Sequence, residues 1–323
     1  MAADVKELRV AAVQMESRNG AVAANLERAG VFAEEAAGQG ARLVVFPEFM
    51  PTGYIFTREI WDAGEPWDGP TMTWLREQSA RLGIYLGTSF LQAEGDEFFN
   101  TFVLTGPDGE VAGSVRKQTP AAAEADFFRG EKGSHVIETE LGTIGVGICY
   151  ENQLAYTPPL MCSGSVDIML MPHSAPAPTN VWWLPRRRLE AIAEILRRLP
   201  VYYADVLGVP VVYINKSGPF KSPVPGMPFY PQDSHFPGES TIADSDGTVL
   251  ARLGADEGIA VADVHLDPAR KARSAPGCHK RWSMEIPVEM YAFIMAEVAG
   301  RIRYSLSSER KKKAREISSR AGG

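Results

Sequence analysis

The chain has 323 residues, 45% hydrophobic and 23% charged, which is enough to bury a full core in one or two domains. A formal net charge of −7 gives no general attraction to nucleic acid or to an anionic membrane. Three scattered cysteines exclude a disulfide framework and a paired-cysteine zinc site. Residues 1–10 lack the apolar core of a secretion signal, and no apolar run is long enough to span a membrane. We therefore expect a soluble cytoplasmic protein without a metal ion or cofactor.

The first ninety residues alternate between predicted strands and helices, which is typical of a largely parallel sheet. The predicted elements are a strand over 8–14, a helix over 25–38, a strand over 42–46, a helix over 71–82 and a strand over 84–89. Glycines follow or end both helical patterns, as expected at helix C-termini.

Hairpins interrupt this alternation in the rest of the chain. The predicted strand pairs are 101–104 with 111–117, 135–138 with 143–148, and 241–242 with 249–250. The other predicted elements are helices over 154–163, 186–207 and 289–303, and strands over 167–171, 209–214 and 258–264. We interpret 217–238, rich in Pro and Gly, as a long loop that forms a wall or lid of a site.

No linker or internal repeat divides the sequence, so the pattern predicts one α/β domain with mixed sheets over residues 1–304. Residues 305–323 form a basic C-terminal tail in this interpretation. Its charge-dense part, 309–320, is expected to be frayed and solvated.

A cysteine stands at the end of one buried strand. Cys149 follows an apolar run in which Gly145 and Gly147 allow close packing of neighbouring backbone. Open α/β sheets bind their ligands at the carboxyl ends of their strands. By itself, Cys149 fits a catalytic nucleophile and a small buried hydrophobic residue about equally well.

Three charged residues share this context. Glu48 follows the buried strand 42–46 in an apolar setting, Lys117 ends a hairpin strand, and Glu124 lies seven residues further on. Taken singly, each has an ordinary explanation: a loop glutamate, an edge-strand lysine and a solvated helical turn.

Together, three sequence blocks make a more specific pattern. They are Phe-Pro-Glu at 46–48, Arg-Lys at 116–117 and Gly-Ile-Cys-Tyr-Glu-Asn at 147–152. With this order and spacing, the sequence resembles the nitrilase superfamily of carbon–nitrogen hydrolases from about residue 8 to about residue 264.

The resemblance implies a four-layer α-β-β-α sandwich with two mixed β-sheets. It also implies a catalytic triad of Glu48, Lys117 and Cys149, with Glu124 in the position of a further family glutamate. Family members commonly form dimers through their outer helices, so a homodimer or higher homo-oligomer is expected. The seven-residue gap from Lys117 to Glu124 is closest to the nitrilase branch, although Tyr150 stands where that branch usually has Trp or Gly.

The chemistry of these residue types supports the same interpretation. A thiol needs a neighbouring base or cation to become a nucleophile at neutral pH. Glu48 can accept the proton, and Lys117 and the backbone N–H of Tyr150 can stabilise the developing anion. Glu124 is expected to hold Lys117 or the substrate.

Five further side chains are candidates for substrate binding: Tyr54, Tyr150, Glu151, His173 and Trp182. For His173 a hydrogen-bonded turn residue is at least as good an interpretation. Core packing is the default for Trp182, which is paired with another tryptophan.

The predicted function is hydrolysis of a small amide or nitrile through a cysteine thioester, with release of ammonia and a carboxylic acid. N-carbamoyl hydrolysis, acyl transfer and a catalytically silent binding module remain alternatives.

Overall fold

The computed structural model describes residues 5–178, 185–224, 227–275 and 281–320. Within these ranges the strands form two large sheets that pack face to face, with helices on both outer faces. The predicted helix over 186–207 has the observed bounds, and it ends at Gly208, which adopts the left-handed conformation with φ 65°.

The first sheet combines parallel strands in its middle with antiparallel strands at its edges. Its strands are β1 (Lys6–Gln14), β2 (Leu43–Val45), β3 (Tyr85–Glu94), β4 (Glu97–Thr105), β5 (Val111–Arg116) and β14 (Gly258–Leu266). They lie in the order β14-β1-β2-β3-β4-β5. Strand β2 pairs in parallel with β1 and β3, and the other pairs are antiparallel.

The second sheet repeats this arrangement. Its strands are β6 (Val136–Thr139), β7 (Gly142–Val146), β8 (Ile168–Pro172), β9 (Val211–Ile214), β12 (Thr241–Ala243) and β13 (Val249–Arg252). They lie in the order β13-β12-β9-β8-β7-β6, with β7, β8 and β9 parallel. The carboxyl ends of β7, β8 and β9 therefore meet at one edge of the sheet.

Two helices cover each sheet. Helices α1 (Val22–Gly38) and α2 (Pro70–Leu82) pack on the first sheet, and α3 (Thr157–Ser163) and α4 (Arg186–Leu207) pack on the second. Apolar side chains of the facing sheets, such as Val10 and Phe102 opposite Ile144 and Leu170, form the central core. The result is the four-layer α-β-β-α sandwich expected from the sequence.

Two predictions about irregular segments were wrong. The segment 217–238 contains a hairpin of β10 (Pro219–Val224) and β11 (Met227–His235) rather than a structureless loop. The segment 309–320 is not frayed, because α6 (Ser308–Ser318) follows α5 (Ala292–Leu306) and packs on the protein. The buried Arg310 guanidinium lies 4.0 Å from the Tyr304 ring and 2.6 Å from the Glu97 carboxylate.

None of the helices in the described ranges has an apolar stretch long enough to cross a membrane.

Candidate active site

The three motif residues come from three different turns at the edge where the sheets meet. Glu48 lies in the turn after β2, Lys117 directly follows β5, and Cys149 lies three residues after β7. All three side chains are buried in the core between the sheets. Residues 32 or more positions apart in the chain thus share one site because each follows a strand of the sandwich.

Lys117 joins two buried carboxylates. Its Nζ donates 2.7 Å hydrogen bonds to Glu48 Oε1 and to Glu124 Oε2. Burial by itself lowers the pKa of Lys117, but the charges of Glu124 and Glu48 outweigh it and raise the pKa above its usual range. Lys117 is therefore a permanent ammonium ion at neutral pH.

The two oxygens of the Glu48 carboxylate differ in their hydrogen bonds. Besides Lys117, Oε1 accepts a 2.7 Å hydrogen bond from Asn100 Nδ2. Oε2 is buried and has no hydrogen-bond partner among the described residues. A buried carboxylate oxygen of this kind is able to accept a proton from a neighbouring thiol.

Cys149 begins a short 3₁₀ helix, Cys149–Gln153, and its backbone adopts the left-handed region with φ 53°. Burial and the charge of Glu48 raise the pKa of the Cys149 thiol well above its usual range, against the opposing charge of Lys117. The sulfur therefore carries its proton at rest and depends on a base for activation.

Glu124, the second carboxylate bound to Lys117, is itself held by Tyr54 and by the backbone. Glu124 Oε2 also accepts the Ala121 backbone N–H at 2.6 Å, and Oε1 accepts the Tyr54 hydroxyl at 2.6 Å. Burial raises the pKa of Glu124, as does the charge of Glu48, whereas Lys117 lowers it. The predicted substrate contact Tyr54 thus lies within the charged cluster, bound to Glu124.

Glu151 is placed differently from the prediction. Its carboxylate accepts hydrogen bonds from Gln118 N at 2.6 Å, Tyr156 OH at 2.8 Å and Ile148 N at 3.1 Å, and it pairs with His135 Nε2 at 3.2 Å. These contacts tie the turn after Lys117 to the turn before Cys149. With its oxygens taken up by these contacts, Glu151 braces the two turns against each other.

Tyr150 and His173 belong to the packing around the site. The Tyr150 ring contacts Trp282 edge-to-face at 5.8 Å, in a cluster under α5. His173 is fully buried, 3.0 Å from Asn152 Nδ2, and burial lowers its pKa to about 3. It is therefore neutral and serves as a hydrogen-bonded turn residue. The remaining candidate, Trp182, lies outside the described residues.

Three functional positions were not singled out from the sequence. Asn100 holds Glu48 Oε1, Ser174 donates its hydroxyl to the Glu48 carbonyl at 2.5 Å, and Lys216 Nζ donates to the Phe49 carbonyl at 2.8 Å. A detectable signal existed for two of them. Asn100 interrupts an apolar strand, and Lys216 stands just past the end of buried strand β9.

The described residues contain no group of three or more His, Cys, Asp and Glu side chains arranged to hold a metal ion.

Known proteins with similar sequences and folds agree on one family. A family model described as carbon-nitrogen hydrolase matches residues 9–274. The omega-amidase NIT2 of Danio rerio is 26% identical over 280 residues, 81% of this chain and 90% of that protein. A nitrilase of Pyrococcus abyssi is 30% identical over 187 residues, 57% of this chain and 71% of that protein.

A solved structure shares the fold. The carbon-nitrogen hydrolase of Helicobacter pylori G27 superposes with a TM-score of 0.71 at 19% identity, covering 82% of this chain and 90% of that one. This likeness confirms the predicted sandwich, and the family model spans most of the sequence. The chain therefore belongs to the carbon–nitrogen hydrolase family.

Proposed function

We propose that the protein hydrolyses a small amide or nitrile through a thioester on Cys149, releasing ammonia and a carboxylic acid. The observation that supports this most directly is the buried ammonium of Lys117, which bonds Glu48 and Glu124 at 2.7 Å beside the thiol. Similarity to proteins named omega-amidase and nitrilase agrees with both substrate classes.

Activation of the nucleophile is assigned to Glu48. Because the resting sulfur is protonated, a base has to remove the proton as the carbon–sulfur bond forms. The partner-free Oε2 of Glu48 can take this proton, while Lys117 and Asn100 hold Oε1 in place.

Stabilisation of the developing anion is assigned to Lys117 and to the backbone N–H of Tyr150. Attack on an amide carbon produces an oxyanion, and attack on a nitrile carbon produces an anionic nitrogen. A positioned donor in such a site contributes about 3–4 kcal/mol to the transition state. Since Lys117 stays protonated, it supplies a full charge without reorganisation.

The intermediate breaks down through the same carboxyl group. With an amide, protonated Glu48 returns the proton to the leaving nitrogen, ammonia departs, and a thioester remains on Cys149. The Glu48 carboxylate then takes a proton from water, whose oxygen attacks the thioester carbon. As the carbon–sulfur bond breaks and the acid leaves, Glu48 returns this proton to the sulfur and restores the thiol. A nitrile first forms a thioimidate, which adds water before ammonia leaves.

An ammonia-release screen tests this proposal. The purified protein is incubated with nitriles, aliphatic amides and N-carbamoyl compounds, and ammonia and acid are quantified. We expect turnover of at least one amide or nitrile, with acid and ammonia formed directly from a nitrile if the nitrilase assignment is right. Absence of turnover in every class, together with slow alkylation of Cys149, would favour the binding module instead.

An exposed apolar stripe supports assembly into a homodimer. Six large apolar side chains at helical spacing lie on one face of α5 and of the turn before it: Val288, Tyr291, Met295, Val298, Ile302 and Leu306. Met295 and Leu306 are each 78% exposed, which is unusual for a stripe of this length on a monomer. We propose that a second copy covers this stripe through a two-fold symmetric contact between α5 helices.

We expect the substitution Ile302→Glu to shift the protein from dimer to monomer, because it places a charge in the centre of an apolar interface. Size-exclusion chromatography with light scattering measures the mass. Val31→Glu is the matched control, since Val31 is 65% exposed on α1, away from the stripe, and should leave the mass unchanged. Equal masses for Ile302→Glu and the unaltered protein would refute this interface.

A further inference from the structure

Lys216 is a buried lysine that the proposed reaction does not use. It lies two residues after β9, at the sheet edge that also carries Cys149, and its side chain is fully buried. No carboxylate of the described residues lies within ion-pair distance of its Nζ, and burial lowers its pKa to about 7. Leaving an ammonium group without a buried counter-ion is costly, and such lysines are concentrated at functional sites.

The contacts of Lys216 lead to the turn that carries Glu48. Its Nζ donates a 2.8 Å hydrogen bond to the carbonyl of Phe49, the residue directly after Glu48. Phe49 has a positive φ of 49°, a conformation that costs about 1–3 kcal/mol and persists only where the surroundings enforce it.

Side chains from both sheets enforce this conformation. Ser89 of β3 accepts the Phe49 N–H at 2.9 Å, and Ser174, after β8, donates to the Glu48 carbonyl at 2.5 Å. These two contacts hold the Glu48–Phe49 peptide group, and Lys216 holds the carbonyl of the next peptide group, that of Phe49, which the Gly53 N–H also approaches at 3.0 Å. Of these side chains, Lys216 contributes the amine donor, whose hydrogen bond strengthens when the amine is protonated.

We propose that Lys216 is a positioning residue for Glu48: by holding the Phe49 carbonyl, it fixes the turn that presents the Glu48 carboxylate to Cys149. The inference rests on the proposed function of Glu48 as the base. In this role Lys216 does not contact the substrate, so its replacement should slow proton transfer without weakening substrate binding. We also expect that removal of the amine lowers activity without lowering stability.

The test compares Lys216→Met, which keeps the length but removes the charge and the donors, with Lys216→Arg, which retains both. We expect Lys216→Met to lower kcat about 10–100-fold, the range expected for a misplaced catalytic group, with little change in KM. Iodoacetamide alkylation of Cys149 should slow by a similar factor, and Lys216→Arg should recover part of both rates. The urea midpoint of Lys216→Met should equal or exceed that of the unaltered protein.

A second lysine serves as the matched control. Lys271 also donates to a backbone carbonyl, that of Ser165 at 2.7 Å, but lies outside the site, so Lys271→Met should leave kcat and alkylation unchanged. Unchanged kcat and alkylation in Lys216→Met would overturn the positioning role, as would a parallel loss of stability that Lys216→Arg does not repair. Failure of the proposed function is distinguishable, because the unaltered protein would then release no ammonia. The alkylation rates would still test Lys216.

Discussion

Replacement of Cys149 by alanine is expected to reduce kcat/KM at least 10⁴-fold, a loss on the order of that seen when a covalent nucleophile is removed. The physical reason is that no thioester can form without the sulfur, whereas the charged cluster around Lys117 remains intact. Stability should change little, because only one buried sulfur atom is lost. Steady-state ammonia release and urea unfolding measure the two effects.

Cys162 provides the control for this experiment. It is half-buried on α3, and Cys162→Ala should leave the activity within about twofold of the unaltered protein, as expected of a site with no part in the reaction. Iodoacetamide should label Cys149 faster than Cys162 despite its burial, because Glu48 can remove the proton of Cys149. Substantial activity in Cys149→Ala would exclude Cys149 as the nucleophile.

Replacement of Lys117 by methionine is expected to lower both stability and activity. It leaves the buried carboxylates of Glu48 and Glu124 without their shared cation, and removal of one partner from a buried ion pair costs about 3–5 kcal/mol. The rate should also fall at least about 10²-fold, because the donor to the developing anion is lost. Urea unfolding and ammonia release measure both losses.

A double substitution separates the two roles of Lys117. Adding Glu124→Gln to Lys117→Met removes one of the two buried negative charges, so part of the lost stability should return. Activity should not return, because the cation beside Cys149 is still missing. If stability and activity recovered together, the catalytic assignment of Lys117 would be wrong and its role would be structural.

Backbone strain is concentrated at the proposed site. Phe49, Ala122 and Cys149 all have positive φ angles, between 45° and 53°. One lies next to Glu48, one lies two residues before Glu124, and one is the proposed nucleophile itself. Non-glycine residues adopt this conformation at a cost, so the surrounding hydrogen bonds maintain the geometry of the three turns.

The regular elements were largely predictable from the sequence, because their patterning is local. The apolar stripe of α4 and its terminal glycine predicted its observed bounds. The strands predicted over 84–89 and 101–104 were too short, since β3 and β4 both continue to a turn at Gly95, where they form a hairpin with buried residues on both faces. Alternation of polar and apolar residues cannot mark a strand that is buried on both sides.

Two other elements depend on contacts that local propensity does not predict. The sequence of α6 is dense in charge, and its helix is held by contacts of Arg310 with Glu97 and the Tyr304 ring. The β10–β11 hairpin is held by pairing between the strands themselves, despite the prolines in both. Local propensity predicted a frayed segment for α6, which tertiary packing overrode, and a loop for the hairpin, which strand pairing overrode.

For the site, the sequence by itself identified the residues to which we assign the chemistry: a base, a cation and a thiol, each placed at or just after the end of a predicted strand. It could not determine that Lys117 bonds Glu48 and Glu124 at once, that Glu151 braces two turns, or that Lys216 reaches the Phe49 carbonyl. The reason is physical. Residue type and local pattern set chemical capability and secondary structure, whereas the burial and mutual distance of these charges arise only when the two sheets pack together.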